Sequence, residues 1–247
     1  MINLPRRVAV GLVVLAAGLP LVSAPGHAQG SVPPGQWRQD GPFGAYDLAA
    51  AQRGYAVFAG QCASCHALGD VTWHDLGGLG LDNQAIHDLA AAHPGAAIDD
   101  PLPAPYPDAS AARKANGGVL PPDLSRYAAG AGANAAGGAG FIEAFLTGYH
   151  PAPAGASVPA GMYYNSALPD HATAMAPALK DGAVQYADGV KPTVARMARD
   201  VSTFLAWTAD PHVQDRHRMG VRVVIYLALL SFLLLLLNRR VWAQVRD

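Results

Sequence analysis

Two cysteines and a histidine stand together in one pentapeptide, Cys62-Ala63-Ser64-Cys65-His66. Cys-x-x-Cys-His is the attachment pattern of a c-type haem. Two thiols at this spacing can each form a thioether to one vinyl group of the same porphyrin, and the imidazole that follows can reach the iron. Because Cys62 and Cys65 are the only cysteines in the chain, the pattern predicts one covalently bound haem c with His66 as an iron ligand.

A Cys-x-x-Cys pair also occurs in dithiol redox sites and in zinc sites. A thioredoxin-like dithiol needs a βαβ context, which the surroundings, rich in proline and glycine, do not predict. A zinc site needs two more ligands at matching spacing, and His74, His87 and His93 do not provide it. Haem attachment is therefore the favoured interpretation.

The second iron ligand of a single-haem electron carrier is usually a methionine or a histidine, and the thioether gives the higher potential. Met197 belongs to a predicted helix stripe and Met219 begins an apolar run, whereas Met162 and Met175 lie in predicted loops. A small residue and a proline follow Met175, and they can hold a loop against a haem face. The residues alone favour Met175 over Met162, with His171 as a bis-imidazole alternative.

Both ends of the chain carry membrane-related patterns. Arg6 and Arg7 precede an apolar run that Pro20 breaks, and small residues at 26 and 28 offer a cleavage site, so residues 1–28 are predicted to be a secretory signal peptide. An uncleaved anchor is the alternative, although the run is short for a membrane span.

The apolar run from Met219 to Leu237 matches a hydrocarbon core of ~30 Å at helical rise and predicts a transmembrane helix. Arg222 can snorkel to the headgroups, and Trp242 suits the interface. A buried core helix is disfavoured, because a Leu-rich run of this length has no polar face.

These patterns predict the organisation of the chain. Residues 29–215 are expected to form a periplasmic mono-haem domain, residues 216–240 an anchor helix, and residues 241–247 a short cytoplasmic tail. The signal peptide sets this orientation, because arginines flank both ends of the helix. The expected location is the bacterial inner membrane, with a single pass through the lipid bilayer.

Charge is distributed unevenly along the chain. The whole chain has a net charge of −1, but between residues 29 and 215 nine Lys/Arg stand against seventeen Asp/Glu, a balance of −8. An acidic exported domain repels nucleic acid and attracts basic proteins, so nucleic acid is excluded as a partner. General solubility accounts for part of this acidity.

Two helices are predicted to form the core of a mainly α fold, a c-type cytochrome core with long loops and insertions. Asp47 can cap the first helix, which runs towards Cys62, and Gly54 allows another helix to approach it closely. The second spans about residues 193–207, with Pro192 in its first turn and Asp210-Pro211 after its end. Its stripe consists of Val194, Met197, Val201, Phe204, Leu205 and Thr208. The Gly/Ala-rich residues 130–140 are predicted to be a flexible surface loop.

Several segments, in this order, resemble cytochrome c1, the haem subunit of the cytochrome bc1 complex, in its alphaproteobacterial form. The resemblance covers nearly all of the chain after the signal peptide. Besides the haem motif, the matching segments are residues 41–44 (GPFG), 52–55 (QRGY), 112–118 (ARKANGG), 120–125 (LPPDLS), 146–149 (LTGY), 161–165 (GMYYN), 174–177 (AMAP), 200–207 and 215–220 (DRHRMG).

The resemblance implies roles for particular residues. It makes Met175 the axial iron ligand opposite His66, places Arg113 beside a haem propionate, and puts Pro121 in a segment that lines the haem pocket. It also implies that the chain is a subunit of quinol:cytochrome c oxidoreductase without bond chemistry of its own. The implied partners are cytochrome b, the Rieske iron-sulfur protein that donates the electron, and a basic or tethered cytochrome c that accepts it, in a dimeric complex.

Two features depart from the family pattern. Residues 73–76 read Trp-His-Asp-Leu where the family often has Tyr-Arg-Asp-Leu, and the Ala/Gly run before Phe141 replaces a more polar stretch. Two other classes of function remain as alternatives: the haem subunit of another periplasmic dehydrogenase or oxidase chain, and a haem-binding sensor or assembly factor.

Overall fold

The computed structural model describes residues 37–39, 43–129 and 138–245. These ranges contain six α-helices and a two-stranded antiparallel hairpin. The helices are α1 (Leu48–Val57), α2 (Asn83–Ala91), α3 (Ala109–Ala115), α4 (Ala139–Thr147), α5 (Val194–Ala209) and α6 (Val213–Val245), and the strands are β1 (Tyr163–Tyr164) and β2 (Ala172–Thr173). A π-helical segment, Phe58–Cys62, follows α1. A 3₁₀ segment, His74–Leu79, precedes α2, and a second, Tyr127–Ala129, precedes α4. The predicted fold class, mainly α with one C-terminal transmembrane helix, is confirmed.

Two sequence predictions fall on residues outside these ranges. The predicted signal peptide, residues 1–28, lies entirely outside the described residues, and so do residues 130–137 of the predicted surface loop. The last two residues of that loop, Ala139 and Gly140, are instead the first two of α4. The loop prediction is wrong there, because Gly-rich composition does not reveal where the first helical turn begins.

The core is built on a close crossing of α1 and α5 at Gly54. A Cβ atom placed on Gly54 would lie 2.6 Å from the Cβ of Phe204 and closer still to the carbonyl oxygen of Asp200. Any side chain would overlap the backbone of α5, so only glycine permits this approach. The predicted role of Gly54 is confirmed. Asp47 also caps α1 as predicted, since its carboxylate accepts the backbone N–H of Ala50 at 3.1 Å.

An ion pair in the core joins the same two helices. The Arg53 guanidinium donates to both carboxylate oxygens of Asp200, at 2.8 and 3.2 Å, and to Asp188 at 2.8 Å. Asp200 is fully buried, and the hydrogen bond to its carboxylate raises the pKa of Arg53 above its usual value. The two bonds satisfy a charge that would be costly to bury alone.

α5 begins at Val194, after Pro192, which was predicted to lie in its first turn. The Thr193 side chain accepts the backbone N–H of Arg196 at 3.3 Å and so caps the helix. Pro192 therefore lies before the cap, and its predicted place in the first turn is wrong. The helix ends before Asp210-Pro211 as predicted.

More residues of α5 are buried than the predicted apolar stripe contains. Every residue from Met197 to Trp207 except Arg199 is buried, whereas Val194 and Thr208 are half-buried. The hydroxyls of Ser202 and Thr203 donate back to helix carbonyls at 2.7 and 3.0 Å. This explains how polar residues lie in the core.

α6 is, among the described residues, the one helix long and apolar enough to cross a membrane. It has 33 residues, and its apolar stretch has no buried residue within the chain. The helix begins at Val213, before the predicted apolar run, and continues through it without a break.

Two contacts fix the start of α6 to the domain that precedes it. Arg216 forms an ion pair with Asp210, and the His217 ring nitrogen Nδ1 lies 3.0 Å from the Gly44 carbonyl. The Tyr46 hydroxyl holds the connection between α5 and α6, since it donates to the Ala206 and Asp210 carbonyls at 2.9 and 3.1 Å. We name this set of contacts the head–anchor junction.

Candidate functional site

The Cys-x-x-Cys-His segment lies where α1 passes through the π-helical segment and turns. The backbone N–H groups of Cys65 and His66 both donate to the Cys62 carbonyl, at 3.0 and 2.9 Å, so the three side chains are carried by one tight turn. Cys62 is buried and Cys65 half-buried, and burial raises the pKa of the Cys62 thiol to about 12.

The His66 ring is fixed by a backbone carbonyl. Its Nδ1 lies 2.9 Å from the carbonyl oxygen of Pro122. Because a carbonyl only accepts, Nδ1 carries the proton and Nε2 is the nitrogen left for a metal. Burial lowers the pKa of His66, which favours the neutral imidazole that metals bind.

The loop that supplies this carbonyl is bonded to the chain just after the motif. The Asp123 carboxylate accepts the backbone N–H of Gly69 at 2.9 Å and that of Ser125 at 2.8 Å. Sequence reasoning selected the half-buried Pro121 and missed Pro122, because a backbone carbonyl has no side-chain signature. The pocket-lining role of Pro121 stays a prediction.

Met175 lies in the loop after β2 and packs, half-buried, against the hydrophobic core. Both of its backbone groups are bonded: its N–H donates to the Thr173 hydroxyl at 3.2 Å, and its carbonyl accepts from the Tyr149 hydroxyl at 3.0 Å. The chain beyond it returns to the motif, where Gln61 donates to the Ala183 carbonyl at 3.2 Å. The predicted ligand is thus on a loop that is held at several points.

The two alternative ligands lie on the hairpin. Met162 is exposed just before β1. His171 is also exposed; it adopts a left-handed backbone conformation with φ 53°, and its ring stacks on Tyr164. Of the two loop methionines, Met175 is the one packed against the core, which supports the prediction that it is the ligand.

Arg113 lies in the last turn of α3, exposed, with its guanidinium 3.4 Å from the Gly118 carbonyl. A chain of contacts connects this helix to the motif. Asn116 donates to the Tyr106 hydroxyl at 3.2 Å, and that hydroxyl lies 4.0 Å from the Cys65 sulfur. Tyr106 gave no sequence signal beyond an aromatic ring between two prolines. The role of Arg113 at a propionate stays a prediction.

The donor set fits a covalent haem better than zinc or a dithiol. Within the described ranges no three His, Cys, Asp or Glu side chains are grouped to hold a metal, so a zinc site lacks its ligands. The motif follows a helix, and the described hairpin supplies no βαβ unit. Val119 and Leu120, next to Pro121, expose 47% and 39% of their surface, which is apolar area that a porphyrin can cover.

Comparisons with known proteins agree with this geometry. The sequence profile of the Cytochrome C1 family matches residues 37–245. The chain is 38% identical over 226 residues to "Cytochrome c1, heme protein, mitochondrial" of Saccharomyces cerevisiae, covering 85% of this chain and 72% of that protein. It is 36% identical to "Cytochrome c1-2, heme protein, mitochondrial" of Solanum tuberosum, covering 85% of both chains.

A bacterial relative covers more of this chain. The protein "Cytochrome b/c1" of Bradyrhizobium diazoefficiens is 34% identical, and the match covers 95% of this chain but 40% of the relative. The profile match extends through the haem motif, the core helices and α6. The chain therefore belongs to the cytochrome c1 family.

Proposed function

We propose that this chain is the membrane-anchored haem c subunit of a cytochrome bc1 complex. It receives one electron from the Rieske iron-sulfur protein and passes it to a soluble or tethered c-type cytochrome. The observation that carries the proposal is the turn of Cys62, Cys65 and His66, with His66 oriented by Pro122, in a chain of this family. The haem c, when bound, supplies a one-electron iron centre.

The residues of the chain hold that centre and set its surroundings. Cys62 and Cys65 would supply the two sulfurs that hold the haem covalently, and His66 and Met175 would be its iron ligands. A methionine sulfur raises the iron potential relative to a second imidazole, which suits acceptance from an iron-sulfur donor. Arg113 has the planar fork that binds a carboxylate and is assigned to a propionate, and Pro121 to the pocket wall.

Surface charge supports a basic acceptor. Between Arg53 and Arg113 the chain has no Lys or Arg, although it contains the haem motif. The same stretch carries seven exposed aspartates, at positions 70, 75, 82, 88, 99, 100 and 108. Asp70 pairs with Arg126 at 3.2 Å, but the net negative charge of residues 29–215 steers a basic protein towards the domain and weakens as salt screens it.

We assign the remaining partners from the domain organisation. α6 presents an apolar surface along its whole membrane stretch, suited to lipid and to cytochrome b. Residues 1–28 are the proposed signal peptide, which places residues 29–215 in the periplasm, residues 216–240 in the bacterial inner membrane and residues 241–247 in the cytoplasm. The complex is proposed to be dimeric.

The test is purification of the tagged protein from detergent-solubilised membranes, followed by a haem stain of its bands and an assay of quinol-dependent cytochrome c reduction. The proposal expects activity, a stained band of this chain, and copurified cytochrome b and Rieske proteins. A stained band without those partners or that activity would indicate the haem subunit of another dehydrogenase or oxidase chain. An unstained band would refute the haem assignment.

Met175→Leu tests the ligand assignment in the same preparation. Leucine keeps the volume and removes the sulfur, so the midpoint potential should fall and carbon monoxide should bind the reduced protein far more tightly. A haem sensor with an open iron position would show neither change. Met162→Leu is the matched control and should behave as the unsubstituted protein.

A further inference from the structure

The backbone of Met175 is bonded on both sides, and one of the two bonds crosses from a distant part of the chain. The Tyr149 hydroxyl donates to the Met175 carbonyl at 3.0 Å, over a sequence separation of 26 residues. The other bond, from the Met175 N–H to Thr173, is local. The cross-chain bond therefore ties the loop to an independent support.

That support is rigid. Tyr149 lies two residues after the end of α4 and forms an antiparallel bridge with Asn165. The Asn165 side chain is fully buried and donates to the Phe145 carbonyl at 2.8 Å. The Phe145 ring meets the Tyr149 ring edge-on at 5.6 Å. Gly148 completes the contact, since a Cβ there would lie 2.6 Å from the Asn165 side-chain oxygen. The Tyr149 hydroxyl is thus held in place from its ring and from its backbone.

The Tyr149 hydroxyl is the donor in this bond. A carbonyl can only accept, so the direction of the bond is fixed.

We propose that Tyr149 is a positioning residue for the sulfur ligand: its hydroxyl holds the Met175 carbonyl and thereby limits how often the Met175 side chain leaves the iron. The proposal rests on the proposed function, in which Met175 is an axial ligand. A small external ligand binds only when that position is vacant, so its apparent affinity rises in proportion to the vacant fraction. Its affinity therefore measures how well the loop is held.

The experiment compares Tyr149→Phe with the unsubstituted full-length protein, purified with its haem in detergent. Phenylalanine keeps the ring contacts and removes the donor. Tyr164→Phe is the matched control, a tyrosine of the supporting hairpin whose ring stacks on His171. The readouts are carbon monoxide affinity of the reduced protein, the near-infrared charge-transfer band of methionine-ligated ferric haem, and the midpoint potential.

Loss of one hydrogen bond should raise carbon monoxide affinity roughly fivefold in Tyr149→Phe, weaken the charge-transfer band and leave Tyr164→Phe unchanged. Equal affinities in the two Tyr→Phe variants would overturn the proposal, because a tyrosine that only supports the fold does not change ligand exchange at the iron. Met175→Leu distinguishes failure of the ligand assignment from failure of the positioning role. If Met175→Leu also leaves the carbon monoxide affinity and the charge-transfer band unchanged, Met175 is not the ligand and the site assignment fails. If only Tyr149→Phe leaves them unchanged, the positioning role alone fails.

Discussion

Replacing Gly54 by alanine should separate the two helices that form the core. The new methyl carbon would lie 2.6 Å from the Phe204 Cβ and 2.7 Å from the Asp200 carbonyl carbon, whereas carbon atoms in contact normally lie 3.5–4.0 Å apart. The neighbouring atoms belong to backbone or are attached directly to it, so no side-chain rotation relieves the overlap. α1 and α5 must therefore move apart by roughly 1 Å to restore normal contacts.

The cost can be worked out from these distances. Overpacking a core costs about 1–3 kcal/mol, and a backbone overlap belongs at the upper end of that range. Alanine recovers about 1 kcal/mol through its better helix propensity. The net loss of about 2 kcal/mol corresponds to a fall of about 4–8 °C in the unfolding midpoint for a chain of this size.

The assay is thermal unfolding of the full-length protein in detergent, followed by circular dichroism and haem absorbance. Gly60→Ala is the matched control. Its Cβ would meet only the end of the Val184 side chain, at 3.3 Å, which can move by a few tenths of an ångström. An unfolding midpoint for Gly54→Ala equal to that of the control would refute the close crossing of α1 and α5.

Three further substitutions test other parts of the fold by the same unfolding assay. Asp200→Asn should cost about 3 kcal/mol, because it leaves a guanidinium in the core without its buried counter-charge; the exposed Asp188→Asn should have a far smaller effect, and equal effects would contradict the role of burial. Arg216 lowers the pKa of the Asp210 carboxyl, so the stabilisation is present above the unfolded pKa of about 4 and lost as the pH falls through the lower folded pKa. Asp210→Asn should thus lower the unfolding midpoint temperature at pH 7, and this difference from the unsubstituted protein should disappear in strong acid. A difference that stays constant with pH would argue against the ion pair. Asp123→Asn keeps one acceptor oxygen for two backbone N–H groups and should cost about 1 kcal/mol, with a measurable change in midpoint potential, whereas an unchanged potential would show that this loop does not orient the haem ligand.

Local patterns predicted the features that depend on local chemistry. The cap at Asp47, the close approach at Gly54 and the end of α5 before Pro211 follow from what single side chains allow, and all three are confirmed. The prediction that Pro192 lies in the first turn of α5 is wrong. Proline suits a first turn in general, but Thr193 makes the capping bond in this chain.

Long-range contacts account for what the sequence did not predict. The burial of Asp200 depends on Arg53, 147 residues away, and a charged residue gives no sign of such a partner in its own helix. The bonds from His66 to Pro122 and from Tyr149 to Met175 both involve backbone carbonyls, and any residue type can supply a carbonyl. The local sequence identified the candidate ligands, whereas the groups that orient them became visible only in the fold.

The head–anchor junction has a consequence for how electrons can travel. α6 is one unbroken helix of 33 residues, about 50 Å long at 1.5 Å per residue, whereas a hydrocarbon core takes up only ~30 Å. The helix is therefore stiff, and the contacts of Arg216 and His217 fix its first turns to the domain that precedes it. A domain held in this way keeps one orientation relative to the axis of α6. In the proposed function, this domain and α6 then move together, and changes in distance between the haem and its donor or acceptor come from movement of those partners.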